Sequence, residues 1–171
     1  MGIVHIVTGS PGVGKTTYGL KLARDRSACF LDIDTVSETF VRKTLKILGR
    51  DPKDRDSSFF KENFRSDIYK ATFKIAKENC SWQEVVVVGP FTQEIRQEDW
   101  LLQLRNSFGC EVKVYYIYCQ PYERKARILG RGNPRDENKI KDWDRSLDYY
   151  GEESRPKFQH EFIDTSSETP S

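Results

Sequence analysis

The sequence predicts an α/β fold, a doubly wound five-stranded parallel sheet with helices on both faces. Three observations lead there. A strand-length apolar run, Ile3-Val-His-Ile-Val7, passes at once into a glycine-rich loop and a segment of helical periodicity. Four valines stand together at Val85–Val88, and short apolar runs alternate with helical ones to the end of the chain. Short links between alternating elements call for parallel strands joined by crossover helices, and ligands of such sheets gather at the carboxyl ends of the strands.

Taken in order, Ile3 to Val7 is the first strand, and Thr17-Tyr-Gly-Leu20-Lys-Leu22-Ala23 carries its apolar residues at helical spacing. Ala28-Cys29-Phe30-Leu31 reads as a second strand closed by Asp32-Ile33-Asp34. Thr35 and Glu38 then form a capping box, and Val36, Phe40, Val41, Leu45 and Leu48 make one apolar face. Residues 49–58 form a polar linker before a longer helix marked by Phe60, Phe64, Ile68, Ala71 and Ile75. Val85–Val88, β-branched and without polar alternation, reads as a central strand covered on both faces. Glu94 to Phe108 follows as a helix packed through Ile95, Trp100, Leu101, Leu104 and Phe108, and Val112 to Tyr118 as the fourth strand. Pro121 to Arg131 reads as a helix, 130–135 as a loop, and Asp136 to Tyr150 as a helix through Ile140, Trp143, Leu147 and Tyr150. Glu161 to Ile163 is a weak fifth strand, and the polar residues 166–171 form a frayed tail.

A chain of 171 residues suits one domain, 1–171, with one site. A net charge of +2, from 28 basic and 26 acidic residues, argues against general polyelectrolyte binding. The four cysteines, Cys29, Cys80, Cys110 and Cys119, are scattered without a C-x-x-C spacing, which fits a reducing compartment. No apolar run approaches the roughly 20 residues that span a bilayer, and no signal-peptide pattern opens the sequence. The expectation is a cytoplasmic protein with no membrane partner.

Gly9-Ser10-Pro11-Gly12-Val13-Gly14-Lys15-Thr16 is a complete G-x-x-x-x-G-K-[ST] loop, placed between strand and helix as its chemistry requires. Glycines let the backbone N–H groups turn inward into an anion-binding nest, reinforced by the positive end of the helix that Thr17 continues. Lys15 can neutralise the β- and γ-phosphates while the Thr16 hydroxyl reaches Mg²⁺. The fold class sharpens accordingly to the three-layer sandwich of P-loop NTPases. A glycine-rich turn with an ordinary surface lysine is the bland alternative.

Asp32 and Asp34 end the second strand beside this loop. Transfer of a phosphoryl group to an alcohol needs the hydroxyl oriented and its proton accepted, with charge offset by Mg²⁺. Asp34 is assigned to the acceptor hydroxyl and Asp32 to the metal, against the plainer reading of Asp34 as a helix N-cap. Arg124, Arg127 and Arg131 share a helical face opposite Tyr122, Ala126 and Leu129, and they lead into Gly130-Arg131-Gly132-Asn133-Pro134-Arg135. A solvated basic face is the usual reason for such a stripe; here it reads as a lid, 124–136, able to bring Arg131, and after it Arg135, over a nucleotide. Arg42 and Arg65, within the acceptor-side helices 35–79, could hold an acceptor or be surface arginines. Phe59, Phe60 and Phe64 suit the core better than a pocket wall. His5 and His160 have no partner at ligand spacing for zinc.

These stretches resemble the small P-loop kinases of the nucleoside-monophosphate-kinase-like group, which includes shikimate and gluconate kinases, chloramphenicol phosphotransferase, zeta-toxin kinases and the kinase domain of phage polynucleotide kinase. The segments Val88-Gly-Pro-Phe91, Arg131-Gly-Asn-Pro-Arg-Asp136 and Lys141-Asp-Trp-Asp144 bring the sequence closer to uncharacterised AAA-domain ATP-binding proteins. The resemblance implies Lys15 on the phosphates, Thr16 on Mg²⁺, Asp34 at the acceptor, Arg131 as lid arginine, Gly89 at the acceptor side, and adenine between Arg127 and the turn at Thr165. Gly89 stands where a hydrolytic motor would carry its acidic Walker B residue. Asn138-Lys139-Ile140-Lys141 departs from the guanine motif N-K-x-D, which favours ATP. The triple glycine of shikimate kinases and the D-G-[FY]-P-R of adenylate kinases are missing from the sequence, so neither substrate transfers. The expected function is an ATP- and Mg²⁺-dependent phosphotransferase acting on a hydroxyl of a small molecule or a nucleic-acid 5′-OH. The alternative is an ATP-dependent switch or slow ATPase without an acceptor.

Overall fold

A computed structural model describes residues 2–132, 140, 143 and 155–166. Its sheet contains β1 (Ile3–Gly9), β2 (Cys29–Asp32), β3 (Val85–Val88), β4 (Glu111–Tyr118) and β5 (Glu161–Asp164), in the order β2-β3-β1-β4-β5. Every strand pair is parallel. The chain runs from β1 out to the edge at β2, returns through β3, and crosses β1 to build β4 and β5 on the other side. Winding therefore reverses beside β1, and the crevice that results opens at the carboxyl ends of the strands.

Alternation along the strands separates two cores. Val4, Ile6, Val85, Val87, Val112, Val114 and Tyr116 meet α4 (Ser66–Asn79) and α5 (Trp100–Phe108) through Tyr69, Ala76, Trp100, Leu104 and Phe108. Val7, Val86, Val88, Tyr115 and Ile117 face the other way, with Ala23 of α1 (Lys15–Arg26) among them. All four valines of β3 are buried, and each contributes about 1.5–3 kcal/mol by leaving water. A smaller cluster of Val41, Leu45 and Phe60 joins α2 (Ile33–Ile47) to α3 (Ser58–Phe60). A π-helical turn, Lys61–Arg65, connects α3 to α4. Among the described residues no helix is long and apolar enough to cross a membrane.

Three local expectations change. The helix expected over 94–108 is a 3₁₀ turn, Glu94–Arg96, followed by α5. The capping box of Thr35 and Glu38 does not form: α2 begins earlier, capped by Asp32, whose carboxylate accepts from the backbone N–H groups of Asp34 and Thr35. Starting at Ile33 turns Ile33, Ser37, Val41 and Leu45 inward, so Phe40 and Leu48 are left 76% and 52% exposed. The helix expected over 136–150 falls mostly outside the described residues, although Ile140 and Trp143 are helical.

His5 lies fully buried in β1. Its Nε2 meets Glu84 Oε2 at 2.8 Å and its Nδ1 the Tyr115 hydroxyl at 3.1 Å. A carboxylate only accepts, so Nε2 carries the proton of the neutral ring and Nδ1 accepts from Tyr115. Burial lowers the His5 pKa below its usual 6.5, outweighing the opposite pull of Glu84. An unfolded chain, with the ordinary value, takes up this proton first as pH falls. The stabilisation is thus complete above pH 6.5 and declines as pH drops toward the folded-state value. Urea unfolding midpoints measured from pH 8 to pH 5 should fall more steeply for the wild type than for His5→Gln; parallel curves would count against this account.

Candidate active site

The phosphate loop starts where β1 ends and finishes at the N-cap of α1. Gly14 occupies that cap with φ 92°, a left-handed conformation that glycine adopts at little cost. Gly12, with φ 84°, packs so closely on α6 (Pro121–Gly130) that a Cβ would stand 2.6 Å from Ile128 Cγ1. The loop is thereby seated on the helix behind it. Lys15 Nζ donates to the carbonyl of Ser10 across the loop at 2.7 Å.

A cleft of about 440 Å³ opens over this loop. Pro11, Gly12, Gly14, Lys15, Thr16 and Thr17 line one end of it. Gly9, Ser10 and Val13 support the loop from below, Ser10 and Val13 both being buried. Thr16 Oγ1 donates to Asp32 Oδ2 at 3.0 Å while Asp32 Oδ1 accepts from the backbone of Asp34 at 2.8 Å. A hydroxyl and a carboxylate side by side are hard oxygen donors that suit Mg²⁺, which usually takes one or two protein oxygens and completes its shell with phosphates and water. No cluster of three or more metal-binding side chains occurs among the described residues.

Asp34 sits in the first turn of α2, 63% exposed, on the wall of the same cleft. The cleft is also lined by Phe60, Lys61, Arg65, Ile68 and Tyr69 from the long helical segment, and by Gly89, Pro90 and Thr92 from the loop after β3. Arg65 is oriented by two hydroxyls, its Nε donating to Tyr69 at 3.0 Å and its terminal nitrogen to Thr92 at 2.5 Å. Burial pushes the Tyr69 phenol up to about 12, so it stays protonated at neutral pH. At Gly89 a Cβ would come within 2.3 Å of Ile33 Cδ1 and 2.9 Å of the Phe91 ring, so a larger residue would force these side chains to shift. Phe91 adopts φ 41°, rare for an aromatic residue, and is fully buried against Tyr69 and Trp100. Such a conformation costs about 1–3 kcal/mol and persists where surrounding packing fixes it. Here it turns the chain so that Pro90 and Thr92 both reach the cleft.

Arg42 does not line the cleft; it pairs with Glu38 at 3.8 Å, one turn back on α2. The arginine beside Asp34 is Arg55, from the linker, with Asp56 next to it on the cleft wall. Nothing in the local sequence marks Arg55, because the linker has no periodicity. Thr92 carried a signal, since loops at the carboxyl end of a central strand face the ligand crevice.

The arginine stripe of α6 faces inward. Arg124 is 5% exposed, whereas Tyr122 and Leu129 on the opposite side are 71% and 52% exposed. Ile128 is buried on the same side as Arg124, while Arg131 at the end of the helix is exposed. Arg124 lies beside Gly12 and under the ring of Trp143, and Arg127 and Arg131 both line the cleft. Arg127 donates to the Thr165 hydroxyl at 3.0 Å and to its carbonyl at 2.7 Å, and Thr165 Oγ1 also lies 2.9 Å from the carbonyl of Val13 and 3.0 Å from that of Tyr118. One buried hydroxyl thus ties β4, β5, α6 and the phosphate loop together. Arg135 lies outside the described residues.

The AAA-domain family matches residues 4–152, which is most of the chain. The chain belongs to that family. No curated protein sequence matches it. Among solved structures this AAA domain is similar to a provisionally assigned kinase from Chloroflexus aurantiacus, at 16% identity over 97% of this chain and 89% of that one, with a TM-score of 0.66. It is also similar to a gluconokinase from Sinorhizobium meliloti, at 15% identity over 99% and 84% with a TM-score of 0.56. A shikimate kinase from Acinetobacter baumannii, solved with shikimate, shares 19% identity over 100% and 85% with a TM-score of 0.55. At such identities the likeness establishes the fold, that of small P-loop kinases.

The knot around Thr165 has a measurable strength in this AAA domain. Thr165→Val leaves the Arg127 guanidinium and the Val13 carbonyl without their common partner, a loss of about 1–3 kcal/mol. Urea unfolding of the two proteins under identical conditions should show that difference, and equal stability would refute it.

Proposed function

We propose that the protein is an ATP-dependent phosphotransferase that moves the γ-phosphoryl group of ATP to a hydroxyl of a small acceptor. One observation carries this reading: Asp34 lines the same cleft as the phosphate loop, together with Arg65 and Thr92. A switch that only binds nucleotide has no use for a carboxylate in that position.

In this reading the loop N–H groups and Lys15 hold the triphosphate, and Arg127, held in place by the buried Thr165, borders the adenine. Thr16 and Asp32 would hold Mg²⁺, which when bound offsets charge on the phosphate oxygens. Asp34 orients the acceptor hydroxyl and receives its proton as the acceptor oxygen bonds to phosphorus. The bond from phosphorus to the β–γ bridging oxygen breaks, and ADP leaves with the electron pair. Arg131, at the end of α6, supplies positive charge to the group in flight. Lys61 and Arg65 on the cleft wall favour an acceptor that carries negative charge of its own. A cleft of about 440 Å³ shared with ATP leaves room for a small molecule or one terminal nucleotide.

The test supplies radiolabelled ATP and magnesium with gluconate, shikimate, pooled nucleosides or a 5′-hydroxyl oligonucleotide, and follows labelled product. Transfer to a member of this panel should fall by about 100-fold or more in Asp34→Asn with ATP affinity unchanged, while Lys15→Ala should lose ATP affinity itself. Absence of ATP binding by the wild type in magnesium would end this reading.

A further inference from the structure

Arg55 is an enclosed cation on the acceptor side of the cleft, and the role of the acceptor carboxylate as read above leaves it without a task. Its side chain is only 7% exposed although it comes from a polar linker without regular structure. Three residues of α2 spaced three and four apart, Asp34, Ser37 and Glu38, present one face to it. Its two terminal nitrogens reach Ser37 Oγ at 3.1 and 3.0 Å, and one of them reaches Glu38 Oε2 at 3.0 Å. Ser37 donates its own hydrogen to the Ile33 carbonyl at 2.7 Å, which leaves its lone pairs for the arginine. The same nitrogen lies 3.8 Å from Asp34 Oδ1, and the guanidinium sits 5.1 Å from the centre of the Phe60 ring.

This geometry separates what holds Arg55 from what Arg55 holds. Ser37 and Glu38 bind it at hydrogen-bond distance and fix the plane of the guanidinium. Asp34 stands just beyond that distance, within reach of the charge of the guanidinium. A guanidinium clamped by neighbours loses little freedom on pairing, so it can orient a carboxylate that is itself largely exposed.

We propose that Arg55 is a positioning residue for Asp34, and that residues 50–57 form the arm that carries it to the acceptor site. The proposal rests on the phosphotransfer reading given above. Arg55 acts through Asp34: it fixes the direction in which the carboxylate meets the acceptor hydroxyl, and it contributes nothing to the grip on ATP. Loss of the arginine should therefore lower kcat for transfer while the KM for ATP changes little.

Two measurements on the full chain test it. In the first, the ¹³C carboxyl resonance of Asp34, assigned by its loss in Asp34→Asn, is recorded with Mg²⁺ and ADP for the wild type, Arg55→Gln and Arg55→Lys. It should move in the glutamine variant and move less in the lysine variant, which keeps the charge and loses the fork. In the second, the acceptor that the wild type phosphorylates from the panel above is used with the same variants. Arg55→Gln should lose about 100-fold in kcat, the scale of a misplaced reacting group, and guanidinium chloride below denaturing concentration should restore part of it. Transfer within threefold of the wild type, or an Asp34 resonance that ignores both substitutions, overturns the role of Arg55 and leaves the kinase reading intact. A loss of transfer accompanied by an equal loss of melting temperature, with no rescue by guanidinium, assigns Arg55 to folding alone and also overturns it. If the wild type binds no ATP in magnesium, the kinase reading fails and the positioning role goes with it.

Discussion

The two oxygens of Asp32 engage different partners, and much of the molecule is arranged around that division. Oδ1 caps α2, which sets where the helix begins and so which way Asp34, Ser37 and Glu38 point. Oδ2 accepts from Thr16 in the first turn of α1, which binds the end of β2 to the phosphate loop. A single side chain thereby joins a strand end, the starts of two helices and the loop between them. Cap substitutions cost about 1 kcal/mol in stability. Here the larger consequence is geometric, because the direction in which α2 presents Asp34 to the cleft is inherited from this cap.

A second set of restraints works from behind the loop. Gly12 rests against Ile128, Arg124 is buried beside it, and Thr165 reaches from β5 to the carbonyl of Val13. The loop is thus pressed between the sheet and α6, and its backbone N–H groups are oriented before any anion arrives. Electrostatic sites of this kind act through dipoles already in place, since nothing must reorganise when charge develops.

The layers of the fold were legible because their signals are local: an apolar run, a loop with required glycines, four consecutive valines. Sequence reasoning failed where a distant partner overrode a local preference. Glu38 looks like the far half of a capping box, yet its carboxylate is taken by Arg55, seventeen residues on, and the cap passes to Asp32. Phe40 and Leu48 look like core positions on an apolar face, but the earlier start of α2 rotates them outward. On α6 the side toward the phosphate loop holds both an apolar residue, Ile128, and a buried cation, Arg124, so the rule that charged residues face outward fails there. Arg42 and Arg55 illustrate the same limit. Periodicity can place the first on a helix face, but only the folded path of an irregular linker brings the second beside Asp34.

The π-helical turn at Lys61–Arg65 lies between Phe60 and the residues that complete the acceptor wall. A widened turn amounts to one additional residue in an otherwise regular helix. Removing that residue would swing Phe60 and Lys61 about 100° around the axis relative to Arg65 and Tyr69. The wall therefore depends on a count of residues as well as on their kinds. A relative with identical side chains but one fewer residue in this turn would present a different surface to the cleft, so a change of length here reshapes that wall and leaves the phosphate-loop end untouched.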